Sequence, residues 1–187
     1  MEEFTEAETT AIYGEVKSKD EIIPRSLSLD IVYHDLTYQN EGALKKMLET
    51  CLPVKYQKTF YEKLINLERY SKLAYYKDVL IGAITCKEDV DRDEETGKEE
   101  KGVYIMTITV LEPYRRYGLA SKMLTDAMED YKKFPDLESI FLDVQVNNKS
   151  AMEFYAAQGF ENVKMRKDYY THIEPADSYF LRKSLKE

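Results

Sequence analysis

GVYIMTITVL (102–111) runs straight into EPYRRYG (112–118), which opens onto LASKMLTDAMEDY (119–131). The first stretch is β-branched and aromatic, the composition of a central strand. The last places Leu119, Met123, Leu124, Ala127, Met128 and Tyr131 on one face of a helix. Between them the chain turns directly into a helix N-terminus, where the first four backbone N–H groups have no partner within the helix. Those groups and the positive end of the helix dipole attract an anion. Gly118 and Ala120 carry little or no side chain, so a diphosphate can come close to the backbone, and Arg115 and Arg116 add charge of the right sign.

Upstream, residues 29–33 alternate as a half-buried strand does, and residues 38–52 and 57–67 carry apolar residues at helical spacing. Residues 72–76 and 79–87 are strand-like around a short turn at Lys77 and Asp78. The charged stretch EDVDRDEETGKEEK (88–101) reads as an exposed hairpin loop. Downstream, a strand is expected at 139–146, a helix at 150–158, and strands at 160–166 and 178–184. This order, β-α-α-β-β-β-α-β-α-β-β, predicts a mixed α/β sheet with helices on its faces. Residues 1–27 are acidic, aperiodic and expected to be a disordered tail, leaving 28–187 as a single domain.

Composition excludes several classes. A net charge of −8 disfavours a nucleic-acid binder. No apolar run approaches the roughly 20 residues of a membrane helix, and the acidic start is unlike a signal peptide. A cytoplasmic protein, able to enter the nucleus, is the expectation. With two histidines and two cysteines in apolar settings, no metal site is expected.

Arg115-Arg116-Tyr117-Gly118-Leu119-Ala120 resembles the R/Q-x-x-G-x-G/A pyrophosphate loop of the GNAT acetyltransferases. Asn148, Ser150-Ala151-Met152-Glu153-Phe154-Tyr155 and Gly159-Phe160 resemble a second segment of that superfamily. Further strings, among them Tyr104-Ile105-Met106-Thr107, Asp168-Tyr169-Tyr170 and Ile173-Glu174-Pro175-Ala176-Asp177, are similar to NatE-type N-terminal acetyltransferases (the San, or separation anxiety, type). The resemblance leaves out the tail and the charged hairpin.

The resemblance implies a GNAT fold, a central twisted, mostly antiparallel sheet flanked by helices. It also implies transfer of acetyl from acetyl-CoA to the N-terminal amine of nascent or mature proteins that keep their initiator Met before an apolar residue. The implied cofactor contacts are Ile108, Thr109, Val110, Arg115, Arg116, Tyr117, Gly118, Leu119, Ala120, Ser121, Asn148, Ala151 and Tyr155. The implied peptide pocket is formed by Leu52, Pro53, Val54, Tyr56, Met106, Tyr169, Tyr170 and Ile173. An apolar wall suits a Met side chain, and tyrosine hydroxyls can bind peptide backbone.

The implied catalytic pair is Tyr104 and Asp143, with Asp143 standing where the family has a His. A chain-terminal amine, with a pKa near 7.7–8.0, is about one-fifth neutral at physiological pH, whereas lysine is neutral in roughly one molecule per thousand. A weaker base is therefore expected to hurt any secondary lysine activity far more than N-terminal acetylation. Asp143 is expected to orient the water that takes the amine's proton, and Asp143→His to raise activity. The missing His also supports a second reading, a catalytically weak subunit acting through a NatA-type complex at the ribosome. A third is acetylation of a small-molecule amine.

Overall fold

The structure, a computed structural model, describes residues 30–66, 70–92 and 97–186. The acidic segment 1–27 and the ends of two expected elements, Leu29 and Leu67, lie outside them. The described residues from Ile31 onward form a compact unit with seven strands and four α-helices, and a 3-10 turn at Glu112–Tyr114. In chain order these are β1 (Ile31–Asp35), α1 (Glu41–Cys51), α2 (Lys58–Asn66), β2 (Tyr70–Tyr76), β3 (Val79–Arg92) and β4 (Glu99–Val110). Then come α3 (Leu119–Tyr131), β5 (Ser139–Gln145), α4 (Lys149–Ala157), β6 (Glu161–Arg166) and β7 (Ser178–Ser184). The order matches the pattern predicted from periodicity.

The strands make one sheet in the order β1-β2-β3-β4-β5-β7-β6. Every neighbouring pair is antiparallel except β4 and β5. One apolar core gathers Leu44, Met47 and Leu48 of α1 with Tyr61 and Leu64 of α2, on Leu73 and Ala83 of the sheet. The face of α3 read from the sequence is the face it buries, since all six of its apolar positions are inside. Each buried Leu or Met among them stabilises the fold by about 1.5–3 kcal/mol relative to exposure.

The stretch 88–101, expected as an exposed hairpin loop, does form a hairpin, but its strands reach further into it than expected. β3 continues to Arg92 and β4 starts at Glu99, with pairing unbroken from Lys87↔Tyr104 through Asp89↔Gly102 and Asp91↔Glu100 to Arg92↔Glu99. Charge did not end the ladder because it is placed in register. Arg92 faces Glu99 across the strands at 4.0 Å, and Asp91 turns inward among basic side chains from β6 and β7.

β4 and β5 pair at only three positions, Gly102↔Ser139, Val103↔Ile140 and Tyr104↔Phe141. Beyond Tyr104 the two strands part, and β4 keeps only β3 as a partner through Val110. The result is a fork in the middle of the sheet with Tyr104 at its vertex. The register between β3 and β4 also slips at this point, Thr85 pairing with Thr107 and Cys86 with Ile105, so that Met106 is an extra residue in β4. Such bulges re-aim side chains beside sites.

Gly102 closes the fork from below. A Cβ there would lie 2.5 Å from the Ser139 carbonyl oxygen and 2.6 Å from the Phe141 ring. Gly102→Ala must push the two strands apart where they are joined. A cost of about 2–3 kcal/mol is expected, seen as a melting temperature lower by roughly 5–10 °C. An unchanged melt would show that the parallel pairing does not hold the fork.

Candidate active site

The turn that opens α3 has the geometry its sequence suggests. Gly118 precedes the helix with φ +76° and Arg116 has φ +72°. The left-handed region suits glycine, but for arginine it costs about 1–2 kcal/mol. Such outliers persist where a backbone conformation is used. No side chain caps α3, and its first helical bond runs from Lys122 N–H to the Gly118 carbonyl at 2.9 Å. The amides of the first turn are therefore left to face outward. A Cβ on Gly118 would meet nothing within 4 Å, so the backbone here is open to a large anion. Left-handed turns beside uncapped amides make an anion-binding concavity. Arg115 anchors the turn to the end of β4, its Nε donating to the Val110 carbonyl at 2.9 Å.

Helix α4 flanks this turn. Asn148 accepts from Ala151 N–H at 3.1 Å, so the expected cofactor contact is also the helix cap. Gln158 Nε2 donates to Ser121 Oγ at 3.2 Å, tying the end of α4 to the first turn of α3. Tyr155 is buried, with its ring 5.3 Å from Phe160. Burial pushes its hydroxyl pKa up, helped by neighbouring Cys86 and Tyr170. Ile108, Thr109 and Val110 form the far part of β4 along the open side of the fork. The expected cofactor residues thus fall on three adjoining elements: β4, the start of α3, and α4.

At the vertex, Tyr104 Oη lies 2.6 Å from Tyr169 Oη and donates to Asp143 Oδ2 at 3.3 Å. With its single proton directed at Asp143, Tyr104 accepts from Tyr169. Burial, then Tyr169, then the Asp143 carboxylate raise the Tyr104 pKa far above the ordinary phenol value. The hydroxyl therefore stays neutral at any working pH. Tyr169 is 39% exposed as a residue, yet its hydroxyl points inward, and burial raises its pKa as well.

Asp143 differs from expectation. Its side chain has no exposed surface, and both oxygens are held by protein donors. Ser178 Oγ donates to Oδ1 at 2.7 Å, and Arg166 Nη1 donates to Oδ2 at 2.9 Å. Oδ2 also accepts from the Tyr104 hydroxyl, so the residue expected to orient a water is here bonded to the other half of the expected pair. The ion pair bears on the expectation for Asp143→His, because an imidazole there would confront Arg166 without a negative charge. Neither Arg166 nor Ser178 stood out in the sequence, since each lay in a strand read only as closing the sheet.

The expected peptide-pocket residues come from two segments. Leu52 ends α1 and, with Tyr56 and Met106, packs on the core below the sheet. Tyr56 stacks on Phe60 at 4.0 Å, and burial lifts its pKa to about 12, with Tyr169 contributing next. From the other side, Tyr169 and Tyr170 meet edge-on at 4.9 Å. Burial pushes the Tyr170 hydroxyl pKa up, with Tyr169, Asp143 and Tyr56 adding to it. Their segment is pinned by Tyr170 N–H to the Ala176 carbonyl at 2.8 Å and by Gln145 Nε2 to the Pro175 carbonyl at 2.8 Å. Pro53 is exposed, and Val54 and Ile173 are half-buried.

Two surface depressions lie elsewhere. One of about 350 Å³ is lined by Tyr33, Tyr70, Lys72, Asp126, Glu129 and Asp130; the other, of about 300 Å³, includes Ser139, Arg182 and Lys183. Neither depression includes the hydroxyl network at the fork's vertex or the anion-binding turn, which β4 joins, running from Tyr104 to the turn that opens α3. Among the described residues no His, Cys, Asp or Glu cluster could hold a metal ion.

The sequence pattern of the Acetyltransferase (GNAT) family matches residues 38–160. N-alpha-acetyltransferase 50 of Danio rerio is 38% identical over 152 residues, 81% of this chain and 87% of that protein. The probable N-acetyltransferase san of Drosophila melanogaster is 40% identical over 152 residues, 81% of this chain and 79% of that one. Arabidopsis thaliana Naa50, solved in complex with the bisubstrate analogue CoA-Ac-MVNAL, superposes with a TM-score of 0.73 at 35% identity. That match covers 83% of this chain and 99% of the other.

Proposed function

The chain belongs to the GNAT acetyltransferase family, and from that premise we propose that it transfers acetyl from acetyl-CoA to protein N-termini that keep Met before an apolar residue. The observation that carries this is the fork, where Tyr104 at the vertex meets Tyr169 and Asp143 on the same strand that leads into the uncapped start of α3. The Arabidopsis relative was captured with an analogue whose peptide begins Met-Val, which supports the second-residue preference.

The residues present fit the donor. Amides from Arg116 to Ala120 would hold its diphosphate, with Asn148 and the α4 face alongside. Ile108, Thr109 and Val110 would run beside the pantetheine, and Tyr155 would lie near the thiol. Bound there, acetyl-CoA supplies a thioester carbonyl. The neutral amine attacks it, the C–N bond forms, the C–S bond breaks, and the thiolate leaves as the amine gives up a proton. Tyr104, kept neutral and oriented by Asp143, holds the water that receives that proton. Asp143 acts through Tyr104 rather than on the water itself. Tyr169 and Tyr170 would hold the peptide backbone, while Leu52, Pro53, Val54, Tyr56, Met106 and Ile173 surround the Met side chain.

A panel of peptides differing in their first two residues, supplied with acetyl-CoA, tests the reading by mass spectrometry. Acetyl is expected on the α-amine of Met-Leu and Met-Val peptides, with rates rising as pH approaches the amine pKa near 8. Acetylation of polyamines or amino sugars, with none of any peptide, would contradict it. The cytoplasm, where new N-termini emerge, is the compartment this reading proposes, and docking on a NatA-type complex is compatible with it.

A further inference from the structure

The charged hairpin, which the family resemblance leaves out, sends one side chain into the catalytic network. Asp91 is only 8% exposed at its side chain, though it sits among charged neighbours on β3. Three cations surround it: Arg166 Nη2 at 3.6 Å and Lys164 Nζ at 4.0 Å from Oδ1, and Arg182 Nη1 at 3.6 Å from Oδ2. Arg182 also faces Glu100 at 3.7 Å. Of the three, Arg166 is the one that reaches the site, since its other terminal nitrogen donates to Asp143 at 2.9 Å. The Arg166 guanidinium lies over the Phe180 ring, with Cζ 3.9 Å from the centroid. One face is stacked, one nitrogen points to Asp143 and the other to Asp91. Burying a carboxylate is costly unless it is paired and hydrogen-bonded; Asp91 Oδ1 accepts no hydrogen bond among the described residues, so its burial rests on the surrounding cations, one of which also holds Asp143.

We propose that Asp91 is a positioning residue for acetyl transfer, setting Arg166 and through it Asp143 and the Tyr104 hydroxyl. The proposal rests on the reading of Tyr104 as the residue that handles the amine's proton. The link runs from Asp91 to Arg166, to Asp143 Oδ2, and to Tyr104 Oη, joining the hairpin to the vertex of the fork. If Asp91 is neutralised, Arg166 keeps one carboxylate in place of two and is free to shift, so the Tyr104 hydroxyl loses its fixed direction.

The test compares wild type, Asp91→Asn, Asp91→Glu and the control Glu99→Gln, an exposed residue of the same hairpin. Steady-state kinetics use a Met-Leu peptide and acetyl-CoA. The Cζ resonance of Tyr104, assigned by its loss in Tyr104→Phe, is recorded by NMR without substrate. Asp91→Asn is expected to lower kcat roughly 5- to 20-fold, short of the ~100-fold that a 1 Å misplacement can cost. KM for both substrates should stay near wild type, the Tyr104 resonance should move, and Asp91→Glu should recover part of the lost kcat. Glu99→Gln should match wild type. Wild-type kcat together with an unmoved resonance in Asp91→Asn overturns the proposal, as does a kcat loss with the resonance in place. Should Asp91→Asn fail to fold, Asp91→Glu, with its carboxylate displaced by one methylene, carries the same comparison. A wild type that acetylates no peptide defeats the proposed function instead, and the resonance alone then decides whether Asp91 governs Tyr104.

Discussion

Tyr104→Phe is expected to lower turnover of a Met-Leu peptide by ~100- to 1,000-fold, the range of a lost proton-handling group. The ring would stay packed against Phe141, where the centroids are 5.9 Å apart, so the fork keeps its shape. Only the hydroxyl disappears, and with it the bonds to Asp143 and Tyr169. Asp143 retains Ser178 and Arg166, and Tyr169 can turn toward water, so the stability cost should be near 1 kcal/mol. The α3 turn is untouched, so calorimetry should find acetyl-CoA affinity unchanged. A large kcat loss with intact donor binding identifies an interaction made in the chemical step. Unchanged turnover would remove Tyr104 from the mechanism.

Asp143→Ala has the largest expected effect on stability. It strips the partner from Ser178, which is fully buried, and leaves Arg166 stacked on Phe180 with only Asp91 at 3.6 Å. Breaking a buried ion pair from one side costs about 3–5 kcal/mol, or a melting temperature lower by roughly 6–20 °C for a chain of this size. Asp143→His should also melt early and should not gain activity, because the imidazole brings no negative charge to Arg166. A His variant that is both stable and faster would show that the Arg166 pair is dispensable, and that the position is a base site as the sequence alone suggested.

How much could be read beforehand depended on how local each feature was. The α3 turn lies in one contiguous segment, so strand, glycine and helix could be recognised together. The same holds for the buried face of α3 and for the element order. The length of the hairpin's strands was not legible because Asp, Glu and Lys have low strand preference, and residues 88–101 have no apolar alternation to offset it. Its pairing depends on which charge faces which, as at Arg92 and Glu99. The surroundings of Asp143 were not legible either. β5 lies beside β7, and β7 beside β6, so Ser178 and Arg166 converge on Asp143 from strands distant in sequence. Asp91 reaches the same arginine from across the sheet. Such convergence is set by strand order, which a linear reading of periodicity does not supply.

A structure of the protein with acetyl-CoA bound measures the central claim most directly. The diphosphate should lie within hydrogen-bond distance of the backbone amides between Arg116 and Ala120, with the thioester inside the fork near Tyr104. A donor seated elsewhere, or one whose diphosphate leaves those amides facing solvent, would contradict it.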